Sequence, residues 1–313
     1  MTLTTALHTV RTQRTEHQQT AHAEGNNIMS WIGFKHIMYL AEEAVLAHFR
    51  QAGLGMRHLF EEYGLLLEIV SNEGRILHAL KLDELVSTSV KPVSKAQGNS
   101  LRFEVVMHVE RAGKPVKTYA GVVALVFKQD RSLGMTPEPC ELGDLAAWVV
   151  EKAIDPAAPT PTTQPGYYPD RAHLAWDFVI PYFYCHGNQR LKMSGYLRLL
   201  EEADARFCAQ QGIDVCELLL DRRWIPAVPS AKVSIVEEAY MNETLHLLYT
   251  VTDVIKSLLY KSSMQAWVER NGQKVWVAQA EIVHAYAQIH SRKDWGMVNF
   301  DTQVLHAIGA DQS

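Results

Sequence analysis

The stretch LAEEAVLAHFRQAG, from Leu40 to Gly53, returns later in the chain as LLEEADARFCAQQG, from Leu199 to Gly212. A leucine, a Glu-Glu-Ala triplet, a glutamine and a glycine recur in the same order, displaced by 199 − 40 = 159 residues. A second block agrees, because VERAGKPV at residues 109–116 matches VERNGQKV at residues 268–275, and 268 − 109 is again 159. Two separated blocks in one register predict that a whole domain is duplicated.

Each copy is predicted to contain one helix followed by an antiparallel sheet. Apolar residues at helical spacing form one buried stripe per copy, namely Ile37, Leu40, Ala41, Ala44 and Val45 in copy one and Tyr196, Leu199, Leu200, Ala203 and Phe207 in copy two. Gly53 and Gly212 then end the helices. Downstream the apolar period changes to two, as in half-buried strands, and RAGK (111–114) and RNGQ (270–273) predict hairpin turns. The sequence therefore predicts an α+β plan in which a sheet wraps each helix.

Composition limits the class of protein. The chain has 313 residues, 47% hydrophobic and 21% charged, with a formal charge of -5, so no basic excess favours a nucleic-acid partner. We expect no membrane span and a cytoplasmic location, because no apolar run approaches about 20 residues and no secretory signal opens the chain. The four cysteines have neither CxxC nor zinc-site spacing, which predicts reduced thiols, no metal and no cofactor.

Five segments are predicted along the chain. The first lacks apolar periodicity and is rich in Thr, His and Gln, which is typical of a mobile arm. A Pro- and Thr-rich run, DPAAPTPTTQPGYYPD, separates the two copies and predicts an extended linker. The predicted boundaries are a flexible arm at 1–25, domain one at 26–130, a connecting segment with the linker at 131–170, domain two at 171–292 and a tail at 293–313.

The loop before the second helix, YCHGNQR at residues 184–190, is polar where copy one is apolar. A helix N-terminus favours a developing oxyanion, so this loop is a candidate catalytic site. His186 would act as a general base on water, Asn188 would orient the water or the carbonyl, and Glu238 would hold His186 or the water. Arg190 would pair with a carrier phosphate or with a substrate carboxylate or enolate. The alternative is a solvated capping loop.

These residues resemble the acyl-carrier-protein thioesterases of plants and bacteria. That family carries the pattern D-x-N-x-H-V-N-N-x-x-Y before the helix of its second hotdog domain and a glutamate in a later strand. The similarity covers roughly residues 26–290 and keeps Asn188 and Glu238, whereas His186 stands at the Asp position and Arg190 at the His position. The resemblance implies a tandem hotdog fold, in which each long helix is wrapped by an antiparallel sheet, and a catalytic set in this loop and strand.

Further candidates come from the helix and from the segment before it. Glutamates on the hotdog helix act as nucleophile or base in some relatives of this fold, which adds Glu201 and Glu202 to the predicted catalytic residues; the alternative for both is a solvated helix face. Active sites of hotdogs form between two facing domains, so an acyl tunnel lined by both helices is expected. The predicted substrate-binding residues are Arg190, Tyr196, Trp31, Phe34 and Tyr184.

The leading prediction is an acyl thioesterase that hydrolyses an acyl-CoA or acyl-carrier-protein thioester of fatty acid or polyketide type. One alternative is a hotdog dehydratase or hydratase with His186 as base, since Gly195 follows His186 at the spacing of carrier-protein dehydratases. The other is a non-catalytic module that binds an acyl chain or a carrier protein. The predicted assembly is a monomer with pseudo-dimeric tandem domains, or a homodimer.

Overall fold

Each copy consists of one long helix and a strip of antiparallel sheet, with shorter helices beside them. The structure is a computed structural model that describes residues 2–93, 98–131, 142–158, 170–185 and 188–310. Copy one contains α1 (Leu3–Thr12), β1 (Thr15–Thr20), α2 (Phe34–Gln51), α3 (Met56–Tyr63), β2 (Leu65–Ile76), β3 (Leu85–Pro92), β4 (Leu101–Arg111) and β5 (Lys114–Gln129). The short strand β6 (Val149–Val150) follows. Copy two contains β7 (His173–Val179), α4 (Met193–Gln210), α5 (Val215–Arg222), β8 (Trp224–Ile235), β9 (Thr244–Ile255), β10 (Leu259–Arg270), β11 (Gln273–Ile289), β12 (Trp295–Val298) and α6 (Thr302–Ala307).

One continuous sheet joins the two copies. Its strand order is β1-β3-β4-β5-β2-β8-β11-β10-β9-β7, with β6 added to β5 and β12 added to β11. The copies meet where β2 pairs antiparallel with β8, and Glu73 there lies opposite Lys232, its own counterpart at 232 − 73 = 159. Because this pair relates each copy to the other, a pseudo-two-fold axis passes between Glu73 and Lys232. The chain is thus a dimer-like pair of domains within one polypeptide.

The 159-residue register extends through the whole fold. The starts of the paired elements give the same difference, since 193 − 34, 215 − 56, 224 − 65 and 244 − 85 all equal 159. The predicted helix stripes are buried within separate cores, one per copy. The predicted turns are also confirmed: Asn271 and Gly272 have φ of 53° and 74°, as a type I′ hairpin requires. The structure therefore has the predicted α+β tandem hotdog architecture.

The mobile arm predicted for residues 1–25 is wrong for most of its length. β1 pairs with β3 from Thr15↔Val90 to Thr20↔Leu85, and Leu7 and Val10 of α1 are buried. In copy two, β7 pairs with β9 in the same way, so β1 is the first strand of copy one. The side chains of β1 alternate between half-buried and exposed positions, and the strand is held by its backbone hydrogen bonds. Its sequence therefore carries no apolar pattern that would predict a strand.

The other two outer segments also differ from the predicted plan. The tail predicted for residues 293–313 forms β12, which pairs with β11, and α6, whose Val304 is buried. Of the connecting segment, residues 149–150 add a parallel strand to β5, while most of the predicted Pro-rich linker lies outside the described residues. Within the described part of the chain, no helix is both long and apolar enough to cross a membrane.

Candidate active site

A cavity of about 530 Å³ lies between the two copies. Copy one contributes the loop before α2 and the start of that helix, and copy two contributes one face of α4, the start of β8 and strand β12. The apolar part of the lining includes Trp31, Ile32, Phe34, Ile37, Ile76, Val228 and Met297. Trp31 and Phe34, two of the predicted substrate-binding residues, thus line the cavity, and Trp31 packs edge-on against Trp295 at a centroid distance of 4.8 Å.

The N-terminus of α2 opens onto this cavity. Its N-cap residue Gly33 lines the cavity and supplies no side-chain hydrogen bond to the first turn. The first amides of an α-helix have no partner within the helix, so the N–H group of Phe34, which lines the cavity, can donate to a ligand oxygen. The helix dipole adds to the attraction for negative charge at this end. The cavity therefore has an anion-stabilising wall.

Glu201 of α4 faces this wall from copy two. Its Oε1 lies 4.0 Å from the place that a Cβ on Gly33 would occupy, and its Oε2 pairs with Lys35 of α2. The carboxylate of one copy therefore stands beside the helix N-terminus of the other copy. Of the predicted catalytic residues that the structure describes, Glu201 is the one that lines the cavity.

The polar loop of copy two forms something different, a buried ion-pair network made by Glu68, Lys128, Arg190 and Glu238. Arg190 is buried, its Nη2 pairs with Glu68, and its Nε lies 3.6 Å from Glu238 Oε1. Lys128 Nζ lies 2.5 Å from Glu238 Oε1. Asn188 Nδ2 donates to Glu68 Oε1 at 3.3 Å. The structure thus brings together the predicted residues Asn188, Arg190 and Glu238, but with partners from copy one.

The network satisfies Glu238 within the protein. Its Oε1 also accepts from the Ala153 N–H at 3.0 Å, and its Oε2 accepts from the Tyr240 hydroxyl at 2.7 Å. Burial alone would raise the pKa of Glu238, but the hydrogen bonds from Lys128, Ala153 and Tyr240 outweigh it and lower the pKa below its usual value. The prediction that Arg190 binds a carrier phosphate does not fit this geometry, because its side chain is only 2% exposed and is already paired.

The network occupies the place that the cavity has in the other half of the molecule. In the 159-residue register, the counterparts of Arg190 and Glu238 in copy one are Trp31 and Ala79, and the counterpart of Glu68 in copy two is Ala227. All three counterparts line the cavity. One of the two pseudo-equivalent sites is therefore open, and charged side chains fill the other. The polar loop of copy two, predicted to carry the chemistry, thus lies at the filled place.

The remaining predicted residues lie elsewhere. Glu202 is on the surface, where it accepts from Arg206 Nη2 at 2.7 Å. Tyr196 is fully buried in the core of copy two, and Tyr184 packs against Phe178 at a centroid distance of 5.0 Å. His186 lies outside the described residues.

Sequence reasoning missed several cavity residues. Asp204 follows Glu201 by three residues on the same face of α4, a spacing visible in the sequence, and His284 lies within the apolar strand β11. Both line the cavity, as do Lys81 and Arg111. Among the described residues, no group of three His, Cys, Asp or Glu side chains is placed to hold a metal ion.

Three solved structures that resemble this chain along most of its length are named as thioesterases. The chain is similar to a putative oleoyl thioesterase from Lactobacillus plantarum at 12% identity and a TM-score of 0.58, over 88% of this chain and 95% of that one. It is also similar to the 12:0-ACP thioesterase from Umbellularia californica, at 11% identity and a TM-score of 0.59, over 91% and 98% of the two chains. A third similar structure is an acyl-ACP thioesterase from Bacteroides thetaiotaomicron, at 10% identity and a TM-score of 0.55, over 91% of this chain and 100% of that one.

At these identities the likeness establishes the fold. It confirms that the resemblance to the acyl-carrier-protein thioesterases holds for the architecture along most of the chain. No model of a known protein family matches the sequence, and no curated protein matches it.

Proposed function

We propose that the protein is an acyl thioesterase whose active site is the cavity between the copies. The observation that carries this proposal is the carboxylate of Glu201 beside the uncapped N-terminus of α2, at the wall of an apolar cavity. Thioester hydrolysis needs a group that activates water and donors that stabilise a developing oxyanion. The cavity supplies both, together with apolar surface for an acyl chain.

The reaction follows from the positions of these groups. The thioester carbonyl oxygen would accept hydrogen bonds from the first amides of α2, which polarises the carbonyl carbon. Glu201 would take a proton from water as the water oxygen bonds to that carbon. Collapse of the tetrahedral intermediate breaks the carbon–sulfur bond, and Glu201 returns the proton to the leaving thiolate. The products are a carboxylic acid and a thiol.

The carrier portion would lie at the mouth of the cavity beside Lys81. Arg111 is close by, but its guanidinium is occupied by Glu84, with Nε 2.6 Å from Oε1. Lys81 lines the cavity and makes no ion pair with the described residues, so it is the cation available to a phosphate. Coenzyme A and acyl carrier protein both present phosphopantetheine, and this contact would serve either carrier.

A thiol-release assay over acyl-CoA and acyl-carrier-protein substrates of graded chain length tests the proposal. We expect turnover of at least one series, and Glu201→Gln should lower kcat by roughly 10²- to 10⁴-fold because the variant has no carboxylate to accept the proton. Glu202→Gln is the matched control, since this neighbouring glutamate pairs with Arg206 on the surface.

Two results would count against the proposal. Equal losses in the Glu201 and Glu202 variants would remove Glu201 from the reaction. A folded protein that binds acyl thioesters without releasing thiol would favour the non-catalytic acyl-binding module instead. The dehydratase alternative lacks support from its spacing, because Gly195 is required by packing: a Cβ there would lie 2.7 Å from Leu191 Cδ1.

A further inference from the structure

We propose that the cavity binds a hydroxyl group carried by the acyl chain, so that the substrates are hydroxyacyl thioesters. This inference rests on the proposed thioesterase function and names its substrate class. It is carried by Asp204 and His284, which line the cavity and belong to a buried polar cluster with Tyr249 and Tyr260.

The cluster is organised around one oxygen of Asp204. Oδ1 accepts from the Tyr249 hydroxyl at 2.8 Å and from the Tyr260 hydroxyl at 3.0 Å, and it lies 3.3 Å from His284 Nε2. The ring of His284 stacks on that of Tyr260 at a centroid distance of 4.7 Å. The hydrogen bonds that described residues give to Asp204 all end on Oδ1, which leaves Oδ2 as an acceptor.

His284 offers a second acceptor. Its Nε2 lies 3.0 Å from the oxygen of Tyr249, whose own hydrogen is donated to Asp204, so Nε2 must carry the ring proton. The other nitrogen, Nδ1, then has a lone pair, and it is buried without a hydrogen-bond partner among the described residues. Burial also lowers the pKa of His284, despite the opposing charge of Asp204, which keeps the ring neutral.

His284 Nδ1, which is buried, and Asp204 Oδ2, on a residue that lines the cavity, both lack a donor among the described residues. An unsatisfied buried polar group is unfavourable, and a native structure with one needs an explanation. A ligand hydroxyl would donate its hydrogen to Nδ1 or Oδ2, whereas a plain alkyl chain would leave both unpaired. The chemistry of the cluster thus selects an acyl group that carries an O–H.

The fold does not require this cluster. The copy-one counterparts of Asp204, Tyr249, Tyr260 and His284 are Val45, Val90, Leu101 and Leu125, each 159 residues earlier, and all four are buried in an apolar core. The same architecture is therefore built with purely apolar side chains at these positions. Since a buried carboxylate is costly to desolvate, the presence of Asp204 at the cavity wall indicates a ligand role.

The position of the cluster places the hydroxyl relative to the thioester. Asp204 lies one helical turn from Glu201 on α4, and side chains at this spacing have Cβ atoms about 5–6 Å apart. A carbonyl held beside Glu201 would put a hydroxyl on one of the next few acyl carbons within reach of Asp204 and His284. β- and δ-hydroxyacyl chains are the two arrangements to compare.

The test measures kcat/KM for octanoyl-CoA, β-hydroxyoctanoyl-CoA and δ-hydroxyoctanoyl-CoA. We expect the intact protein to prefer one hydroxylated substrate by about 10- to 100-fold, the effect of satisfying buried acceptors. In His284→Leu, which installs the copy-one residue, this ratio should fall towards one. His48→Phe is the matched control. His48 is a buried histidine of copy one that is not part of the cavity lining, and its counterpart in copy two is Phe207. This variant should keep the ratio of the unmodified protein.

An intact protein that hydrolyses octanoyl-CoA as efficiently as both hydroxylated substrates would overturn the inference and leave the thioesterase proposal standing. If no thioester is hydrolysed, the thioesterase proposal fails, and calorimetry with the free acids decides the hydroxyl site. Tighter binding of a hydroxyoctanoate than of octanoate, lost in His284→Leu, would support it, and equal affinities would contradict it.

Discussion

Glu201 and Glu42 occupy the same position in the two copies, yet their surroundings give them different chemistry. Glu201 stands at the cavity wall beside Lys35. Glu42 is half-buried and accepts from Asn72 Nδ2 at 2.9 Å. Burial raises the pKa of Glu42 from 4.5 to about 8, because the hydrogen bond from Asn72 offsets only part of the desolvation. Burial thus favours the protonated form of Glu42, whereas Glu201 pairs with Lys35 at the cavity wall.

The raised pKa of Glu42 predicts a pH-dependent stability. Between pH 4.5 and about 8 the folded protein keeps a proton on Glu42 that the unfolded chain has lost, so stability falls as the pH rises through this window. Glu42→Gln mimics the protonated form and cannot titrate. We expect the free energy of unfolding of this variant, relative to the unmodified protein, to increase with pH across the window in urea titrations. Parallel curves for the two proteins would show that Glu42 is not held protonated.

Some residues of the cavity and of the ion-pair network could be predicted from the sequence, and others could not. Glu201 is visible because the repeat marks it, and Trp31 and Phe34 are visible through the aromatic density before α2. The polarity of Asn188, Arg190 and Glu238 is equally visible. The partners of these residues cannot be recognised from the sequence, because Glu68 lies 120 residues from Asn188 and Lys128 lies 110 residues from Glu238. No local pattern distinguishes a polar loop that binds substrate from one that is closed by charges from the other copy.

At the scale of elements, the loops before α2 and α4 differ in what they contact. The first leaves the N-terminus of α2 facing a cavity, and the second is anchored by the buried ion-pair network. Removing one partner of such a network leaves charge buried without compensation, which is typically more destabilising than the intact network is stabilising. The network is therefore expected to fix the loop of copy two and the contact of α4 with copy one.

Arg190→Ala tests this role. We expect the free energy of unfolding to drop by about 3–5 kcal/mol, because Glu68 and Glu238 would lose their shared cation in a buried position. The comparison is Arg206→Ala, which breaks an exposed pair with Glu202 and should cost no more than about 1 kcal/mol. Similar losses in the two variants, measured by urea denaturation, would mean that the network contributes no more than a surface pair.

Local patterns predicted the elements that carry their own signal. The stripes of α2 and α4 and the turn at Asn271 and Gly272 agree with the structure because periodicity and turn chemistry specify them. The sequence did not reveal β1 or α3. β1 has few apolar residues and is formed by pairing with β3, and α3 is a short helix with one fully buried side chain, Leu59. Tertiary contacts decide such segments, so their sequences alone do not.

At the scale of the whole molecule, duplication gives two equivalent places between the copies, and among the described residues one is the cavity and the other holds the ion-pair network. The pseudo-two-fold axis at Glu73 and Lys232 relates the open site to the ion-pair network. The sequence predicted the two domains and the fold, but not which site is open, because that depends on which charges meet across the β2–β8 junction. Under the proposed function, we expect substitutions in the filled half to change stability and substitutions at the open site to change activity.

The comparison of Glu201→Gln with Glu42→Gln tests this asymmetry most directly, because the two substitutions are the same change at pseudo-equivalent positions. Initial rates of thiol release should be measured for both variants on the best substrate of the unmodified protein. We expect Glu201→Gln to lose at least about a hundredfold in kcat, whereas Glu42→Gln should stay within about threefold of the unmodified protein. Loss of activity in Glu42→Gln with activity retained in Glu201→Gln would contradict this expectation and place the reaction in the other half of the molecule.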